Sequence, residues 1–574
     1  MRKNFEKSIY LYELGLMIIL FIFNVIFISS IMFTIKISIT KYNVILALLF
    51  TLIFSNIYFF KKDEKAKLII LKDFLFLFII IFSIFISCKT YDLSWDGNSY
   101  HKTAIGELKN GWNPNYETIE NFNESDKNSL KLNDTHAIWN NHYAKGQWIF
   151  AANIYKVTNN IESGKCLNIL LMITVFLILL SFLIVRINII LSLLISILVS
   201  FNPITIAQMF TFYNDQLIFN LVIIELIILQ KIYSNKEIEN TKINYLGLLL
   251  TLLILVNIKF TGIAYGGIIM LFYYIISLIK PNFRKKYIKN FTLIGILTVL
   301  VGICFIGYST YIRNFIDHSN PLYPLFGKEK IDIMIMNEPR QFVEMNRIEK
   351  FIYANFSKTA NITASQTENL SLKIPFTFSQ EELELLSIPD LRIGGYGVLF
   401  GGILILSTII ISIGLYFIYF KDKKLFFRLG SVVFIIVFMI LILDESWWAR
   451  YLPQVYILPF IAIYILDKYR NKKINNILIT LLLGLLIVNT GYFVKYNTQF
   501  NIERFKNIKN ELSNLNDNCN YLIYTSDFNG AVYNIQDINK NIKTISSIKG
   551  HDKDKIIPVY NNMLNLILED KKEN

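Results

Sequence analysis

Residues 68–101 read LIILKDFLFLFIIIFSIFISCKTYDLSWDGNSYH and change in character along their length. The first two thirds are long enough and apolar enough to cross a bilayer as a helix. The remainder, from Trp95 to His101, places an indole, an acid and an imidazole where the chain leaves the lipid. Ionisable groups at that depth usually mark a substrate path or a paired site. The stretch predicts a membrane helix followed directly by a polar site.

A short amphipathic helix is predicted immediately after Asp96. Its apolar residues recur at helical spacing, and Gly111 with Pro114 ends it. We expect this helix to lie on the membrane surface, with Asp96 facing a water-filled cavity. The alternative is that Asp96 only caps the helix N-terminus. The apolar face consists of Tyr100, Ala104, Ile105 and Leu108.

Composition identifies the class of protein. The chain has 574 residues, of which 54% are hydrophobic and 15% aromatic, and a mean hydropathy of +0.44. A soluble globular protein does not need so much apolar surface. The net charge of +14 would suggest a nucleic-acid partner in a soluble protein. Here the cations gather in short loops, where they orient a membrane protein, so no nucleic-acid partner is expected.

We predict an all-α polytopic membrane protein with about thirteen transmembrane helices. The membrane domain occupies residues 1–494, with long loops at 89–165 and 313–392, and residues 495–574 form a small C-terminal α/β module. The predicted spans are 14–35, 44–60, 68–88, 166–185, 187–201, 216–230, 243–258, 260–279, 291–312, 394–420, 429–443, 452–466 and 474–494.

The distribution of lysine and arginine predicts the orientation of these spans. Cations are concentrated in alternate short connections, including 61–72, 280–289 and 421–428. Such loops usually stay in the cytoplasm. The N-terminus is therefore expected inside, and both long loops and the C-terminal tail are expected outside, in a multi-pass protein of the plasma membrane. All six tryptophans then fall on the outer side. Aromatic platforms for a sugar or a lipid tail would explain this placement. The alternative, for about half of them, is that they are interfacial anchors.

The residues expected on that outer face suit transfer of a sugar from a lipid phosphate. Asp96 is the candidate general base for an acceptor hydroxyl, and Asp215 a second acid that positions the acceptor or shares the base role. Cations would stabilise the charge that develops on the leaving phosphate, and these are Lys259, Arg313 and Arg450. Each cation alone could equally be a snorkelling side chain at the interface. Further candidate substrate-binding residues are Tyr100, His101, His142, Lys145, Asn320, Tyr323, Trp447 and Trp448.

Five short motifs on this face resemble those of the multispan GT-C glycosyltransferases, which include the protein O-mannosyltransferases and the aminoarabinose transferases of lipid A. The motifs are Trp95-Asp96-Gly97-x-x-Tyr100-His101, Tyr213-x-Asp215, Lys259-x-Thr261-Gly262, Arg313-Asn314 with Asn320-Pro321-x-Tyr323-Pro324, and Trp447-Trp448-x-Arg450-Tyr451. The resemblance covers roughly residues 14–494 and rests on the order and shared side of the motifs.

The resemblance implies an inverting transfer from a polyprenyl-phosphate sugar, with Asp96 essential. The acceptor would be a glycolipid, a glycan or a protein. Some members of the family use a divalent metal ion, and many have paired acids where this chain reads Asp96-Gly97, so the resemblance leaves a metal cofactor open. The alternative functions are a surface-polysaccharide polymerase or ligase, which takes a lipid-diphosphate donor, and a transporter of a lipid-linked sugar, which favours broken helices at mid-membrane.

Overall fold

The structure, a computed structural model, describes most of the chain. The described residues are 2–125, 130, 136–233, 241–279, 284–331, 337–360, 370–468, 472–515, 519–539, 541–545, 547–549 and 556–568. Helices dominate this part of the chain, and a small sheet stands near its C-terminus.

The first half of the chain forms eleven α-helices within the described residues. They are α1 Arg2–Thr34, α2 Lys41–Phe60, α3 Ala66–Cys88, α4 Lys102–Asn110, α5 Ile119–Ser125, α6 Ala137–His142, α7 Gly146–Thr158, α8 Cys166–Leu183, α9 Ile189–Ser200, α10 Pro203–Gln208 and α11 Asp215–Tyr233. A π-helical turn, Gly97–His101, leads directly into α4, and a 3-10 turn, Ile161–Lys165, leads into α8.

The second half adds eleven more among the residues described. They are α12 Thr241–Ile258, α13 Phe260–Ile279, α14 Arg284–Leu297, α15 Arg313–His318, α16 Arg347–Phe356, α17 Gln380–Glu384, α18 Phe400–Lys421, α19 Lys423–Ile442, α20 Leu458–Lys468, α21 Lys472–Ser513 and α22 Val532–Gln536. Between α14 and α15 the helix continues in π geometry over Thr298–Ile306 and Tyr308–Ile312, and a 3-10 turn, Pro453–Ile457, precedes α20.

The chain is a helical polytopic membrane protein. In the described part, ten helices have the length and apolar composition needed to cross a bilayer. The predicted count of thirteen spans is not confirmed. The predicted spans at 187–201, 243–258 and 452–466 do form helices, but these are the shorter helices α9, α12 and α20.

The bundle is built around α11. Of the apolar stretch of α11, 94% is buried, compared with 28% for the corresponding stretch of α3. A helix that is apolar on all sides belongs in the interior of a bundle, whereas α3 has the exposed apolar face of a helix at the periphery. Asp215 is the first residue of α11, so the packing places its carboxylate at the centre of one end of the bundle.

The short helix after Asp96 is internal. The predicted apolar face of α4 is buried, and Gly111 ends the helix with a φ of +136°. The opposite face, with Lys102 and Glu107, is fully buried as well, because the C-terminal module covers it. Gly106 allows this close packing, since a Cβ there would lie 2.0 Å from the ring of Tyr533. The prediction that this helix lies on the membrane surface is therefore wrong.

The C-terminal module contains the predicted sheet. Its strands are β1 Tyr521–Tyr524, β2 Ile542–Thr544, β3 Ile556–Val559 and β4 Leu564–Leu568, in the order β2-β1-β4-β3. β1 pairs in parallel with β2, and the other two pairings are antiparallel. The module is connected to the bundle by α21, a single helix of 42 residues that passes through the predicted domain boundary at 494/495.

A buried ionic group joins the module to α4. The ammonium of Lys102 donates to Glu162 at 2.7 Å, and to Asn534 and the Tyr560 hydroxyl at 2.8 Å each. Lys165 forms a second ion pair with Glu162 at 2.7 Å. Charges buried this deeply are stable only when they are paired and hydrogen-bonded, so these contacts fix the module against the bundle.

Replacement of Lys102 by Met is expected to loosen the C-terminal module. The substitution removes one of the two cations from buried Glu162 and leaves Asn534 and Tyr560 without their donor, at a cost of about 3 kcal/mol. Hydrogen exchange of β1 and β4 should accelerate in the variant. Lys549→Met, on an exposed residue of the same module, is the control. Equal exchange rates in the two variants would contradict the fixing role of Lys102.

Candidate functional site

Four of the predicted site residues meet at one end of the bundle, and each comes from a different part of the chain. Asp96 precedes the π-helical turn, Asp215 begins α11, Lys259 links α12 to α13, and Arg450 lies between α19 and α20. Arg450 is at the centre of the group. Its Nη1 is 3.6 Å from Oδ2 of Asp96 and 3.5 Å from Oδ2 of Asp215. The sequence prediction of convergence is thus correct for these four residues.

Asp390 completes the cluster and was not predicted. Its Oδ1 is 3.3 Å from Nη2 of Arg450, and its Oδ2 accepts from Nε of Arg392 at 2.6 Å. Arg392 is held in turn by two hydrogen bonds to Asn337, both 2.9 Å long. The only sequence signal is an acid two residues before an arginine at the end of the second long loop. That loop therefore contributes a charged group to the site.

The guanidinium of Arg450 is buried but makes no hydrogen bond to any described residue. Its Nη atoms lie 3.3 to 3.6 Å from the oxygens of three carboxylates. A charge-assisted hydrogen bond is shorter, at about 2.7 to 2.9 Å. Aromatic rings support it instead, with its carbon 4.5 Å from the ring centre of Trp448 and 4.6 Å from that of Tyr213. The five N–H donors remain available to an oxyanion.

Asp215 is held more tightly than Asp96. Its Oδ1 accepts from the ammonium of Lys259 at 2.6 Å, and its Oδ2 accepts from the amide of Gln208 at 3.3 Å. Lys259 also lies over the ring of Tyr451, 4.4 Å from its centre. Because one N–H of Lys259 is used by Asp215, the other two remain for a ligand. Asp215 therefore contacts both cations, Lys259 by a hydrogen bond and Arg450 by a longer ion pair.

Asp96 is the carboxylate that is free to accept a proton. Its backbone is helical and its side chain makes no capping hydrogen bond, so the N-cap alternative is not what the structure shows. Within the described residues, its oxygens accept no hydrogen bond. Burial raises the pKa of Asp96 to about 6, with Arg450 opposing that rise and the charges of Asp390 and Asp215 adding to it. A carboxyl with such a pKa suits proton transfer near neutral pH.

Gly97 explains why a second acid does not follow Asp96. A Cβ at this position would lie 1.8 Å from Oδ2 of Asp92, so no side chain fits. Asp92 itself is buried and accepts the backbone N–H groups of Ser94 and Phe212, at 2.7 and 2.8 Å. These bonds fix the start of the loop against the segment that precedes α11. Asp96 is positioned by this turn.

Tyrosine hydroxyls surround the charged cluster. Burial, together with the negative charge of Asp96, raises the pKa of each of the four tyrosines. Among the residues that the structure describes, these hydroxyls find no hydrogen-bond partner. Four unpaired hydroxyl groups near an acid and a guanidinium are suitable for binding a polyhydroxylated ligand. They belong to Tyr100, Tyr143, Tyr213 and Tyr451.

His101 is a neutral side chain at the edge of the cluster. Its Nδ1 accepts from the indole N–H of Trp148 at 2.6 Å, which leaves the ring proton on Nε2. Burial, and then the positive charges of Lys259 and Arg450, lower the pKa of His101 to about 3. The ring is therefore not a general acid at neutral pH. It packs beside Tyr100, with the ring centres 4.4 Å apart.

Arg313 does not join the cluster. Its described contacts are with the backbone oxygen of Asn115 at 3.2 Å and with Asp317 at 3.4 Å. Its charge acts instead on Lys145, a buried residue whose ammonium donates to two backbone carbonyls. Burial, with the charge of Arg313 adding to it, lowers the pKa of Lys145 to about 7. Of the three cations expected to face a phosphate, the structure brings together Lys259 and Arg450 only.

A second polar group forms around His142. Its Nδ1 is 2.7 Å from the amide oxygen of Asn314, and Asn314 donates to the backbone oxygens of His142 and Tyr323. The ring of Tyr323 stacks on His318 at 3.7 Å between centres. Among the described residues, the side chain of Asn320 bonds to the backbone of its own loop, at Leu322 and Phe326. His142, Tyr323 and Asn320 thus shape the second long loop and make no contact with Arg450.

The two adjacent tryptophans have different positions. Trp448 lies under the guanidinium of Arg450 and donates its indole N–H to the backbone oxygen of Asp390 at 2.6 Å. Trp447 stacks behind Trp448 at 5.3 Å and packs on Phe342. Both indoles are almost fully buried, so they are not interfacial anchors. Trp448 shapes the site directly, and Trp447 supports it.

No group of three or more histidine, cysteine or acidic side chains arranged to hold a metal ion occurs among the described residues. The three carboxylates around Arg450 already face cations of the chain. No model of a known protein family matches the chain, and no curated protein matches it either. The fold and the cluster define the protein as a helical membrane protein with a buried ionic site at one end of its bundle.

Replacement of Asp96 by Asn should change how stability depends on pH. A carboxyl whose folded pKa of about 6 lies above its ordinary value of 3.8 binds its proton more tightly in the folded state. The contribution of Asp96 to stability is therefore largest at low pH and falls as pH rises from roughly 4 to 6, by about 3 kcal/mol in total. The variant lacks this loss, so its melting midpoint relative to wild type should be higher at pH 7.5 than at pH 4.

The control for that measurement is Asp444→Asn. Asp444 is 66% exposed and pairs with Arg347 away from the cluster. The difference in melting midpoint between this variant and wild type should be the same at pH 4 and at pH 7.5. If Asp96→Asn behaves in the same way as Asp444→Asn, the titration does not belong to Asp96.

Proposed function

We propose that this protein is a membrane glycosyltransferase that moves a sugar from a polyprenyl-phosphate donor to an acceptor outside the cytoplasm. The acceptor is a glycolipid, a glycan or a protein, and the site faces the outer leaflet of the plasma membrane. The observation that carries the proposal is the pairing of a free carboxyl, Asp96, with a buried guanidinium, Arg450, that has no hydrogen-bond partner among the described residues. One group can take a proton, and the other can bind the departing phosphate.

Asp96 acts as general base in this proposal. Its oxygens are free of hydrogen bonds from described residues, and its pKa of about 6 keeps it ionised but basic near neutral pH. It accepts the proton of the acceptor hydroxyl as that oxygen attacks the anomeric carbon of the sugar. The bond between that carbon and the phosphate oxygen breaks on the opposite side, so the configuration inverts.

The leaving phosphate monoester is stabilised by Arg450 and Lys259. Arg450 has long contacts with three carboxylates and can exchange them for phosphate oxygens, because its donors are not committed to hydrogen bonds. Lys259 keeps two N–H donors after its bond to Asp215. The cluster has three acids and three cations, counting Arg392, so protonation of Asp96 leaves it with a net positive charge during phosphate release.

In this proposal the four tyrosines bind the ring hydroxyls of the sugar. Tyr100 and Tyr143 have ring centres 6.1 Å apart, and Tyr213 and Tyr451 both pack against Arg450. Flat aromatic faces with hydroxyl groups at their edges are suited to sugars, which have apolar faces and polar edges. Tyr100 lies beside His101 as well, whose Nε2–H supplies a further donor.

Replacement of Asp96 by Asn is expected to lower kcat for sugar transfer by about 100- to 10,000-fold, which is the contribution of a well-placed general base. Asp215→Asn should cost nearly as much, because it releases Lys259 and Arg450 from position. Transfer of radiolabelled sugar in purified membranes is the measurement, and Asp444→Asn is the control. Normal activity of the Asp96→Asn variant would end the assignment of the base.

The same assay identifies the donor. A monophosphate-linked sugar should lose its label to the acceptor, whereas a lipid-diphosphate oligosaccharide should not. Use of the diphosphate donor alone would make the protein a polymerase or ligase. Movement of the labelled lipid between leaflets of liposomes without any transfer would make it a transporter.

The pH profile of kcat/KM should shift in opposite directions in two variants. In the wild-type protein the acid limb should lie near pH 6, the pKa of Asp96. The negative charge of Asp390 raises that pKa and the positive charge of Lys259 lowers it. The acid limb should therefore move to lower pH in Asp390→Asn and to higher pH in Lys259→Met. Shifts of the same sign in both variants would mean that another group titrates.

A further inference from the structure

A cleft lies at the opposite end of the bundle from the ionic site. It is enclosed by α8, α9, α11, α19, α20 and the 3-10 turn before α20, and it has a volume of about 140 Å³. Gln230, in its wall, is fifteen residues after Asp215 on α11, which corresponds to roughly 22 Å along a helix. The lining is almost entirely apolar and includes Leu183, Ile195, Ile227, Val432 and Ile461.

Arg428 is the one charged residue in this lining. Its Nε donates to the amide oxygen of Gln230 at 3.0 Å. The amide nitrogen of Gln230 donates to the hydroxyl of Tyr273 at 2.7 Å and to the backbone oxygen of Arg428 at 3.1 Å. These bonds fix one edge of the guanidinium. In the described part of the chain, no carboxylate pairs with Arg428 and neither Nη group has an acceptor.

The walls of the cleft continue into the lipid-facing surface of the bundle. Ile190 and Ile197 on α9, and Phe427 and Phe434 on α19, are exposed apolar side chains on the two helices that flank it. The apolar part of the lining is suited to apolar molecules. A hydrocarbon chain from the surrounding bilayer can therefore enter the cleft laterally.

Further charges lie at the same end of the cleft. Four charged side chains interact electrostatically with the hydroxyl group of Tyr464. They are Arg186, Arg428, Asp422 and Asp467. The backbone oxygen of Arg186 accepts from the ammonium of Lys468 at 2.7 Å. Asp422 is engaged at the start of α19, where it accepts the backbone N–H of Leu425. Of these charged residues only Arg428 lines the cleft.

We propose that the cleft binds one anionic phospholipid from the leaflet opposite the ionic site. One hydrocarbon tail occupies the apolar recess, and the phosphate accepts bidentate hydrogen bonds from the two Nη groups of Arg428. A zwitterionic lipid brings its own cation close to the guanidinium and is bound less well. This site is independent of sugar transfer, and its occupant is a structural lipid of the bilayer.

The first test measures the lipids that stay bound to the purified full-length protein. The protein is reconstituted in an equal mixture of phosphatidylglycerol and phosphatidylcholine, extracted gently, and examined by native mass spectrometry. Wild type should retain phosphatidylglycerol preferentially. Arg428→Gln should retain about tenfold less, the effect of losing charged hydrogen bonds, and Arg428→Lys, which keeps the charge but cannot bond the phosphate bidentately, should retain an intermediate amount. Lys424→Gln, an exposed cation on the same helix but outside the cleft, is the matched control.

A second variant removes the space and leaves the charge. Val432→Phe places a larger side chain in the cleft and should lower retention of phosphatidylglycerol while Arg428 is intact. Size-exclusion profiles establish that each variant is folded. Equal retention in wild type and Arg428→Gln, or in wild type and Val432→Phe, would overturn the proposal. So would equal retention of both lipids by the wild type.

A measurement on the wild-type protein alone covers the case in which variants do not fold. Spin-labelled phosphatidylglycerol and spin-labelled phosphatidylcholine are each added to the reconstituted protein. The motionally restricted fraction should be larger for the anionic lipid, and excess unlabelled phosphatidylglycerol should reduce it. Identical restricted fractions for the two lipids would refute the site.

Discussion

The ion pairs of Arg450 are the interaction on which the polar end of this protein depends. Three carboxylates reach the guanidinium from the first long loop, from α11 and from the second long loop. A buried guanidinium is costly unless such partners surround it. None of these three contacts is a hydrogen bond, so they balance charge without using the donors. One residue therefore both assembles the site and remains available to a ligand.

The sequence predicted the long membrane helices, because their apolar runs are visible in the sequence. Apolar runs such as 68–88 gave helices close to their predicted positions, because a backbone in lipid has no other way to satisfy its polar groups. The predicted number of spans was not confirmed, because α9 and the described part of α12 are apolar but short. The C-terminal α/β module was predicted as a unit, and its sheet consists of the four strands β1 to β4.

The sequence predicted only part of the site. Contacts between residues far apart in the chain produce no pattern in the local sequence. Asp96, Asp215, Lys259 and Arg450 could be grouped because each adjoins a span on the same predicted side. Asp390 lies in a long loop with many other acids, so nothing in the sequence distinguished it. Arg313 also adjoins a span on that predicted side, as Arg450 does. It follows a π-helical turn, and its side chain contacts Asn115 and Asp317. The grouping of these four residues was predictable, but the direction of the Arg313 side chain was not.

The bond between Lys102 and Tyr560 joins residues 458 positions apart. At ordinary rates of translation, on the order of a minute passes between the synthesis of one partner and the other. During that interval the ammonium of Lys102, directly after the π-helical turn, lacks one of its hydrogen-bond partners. These contacts of Lys102 form only after Asn534 and Tyr560 have been made, so a nascent or truncated protein would insert its helices yet lack the full hydrogen bonding beside α4.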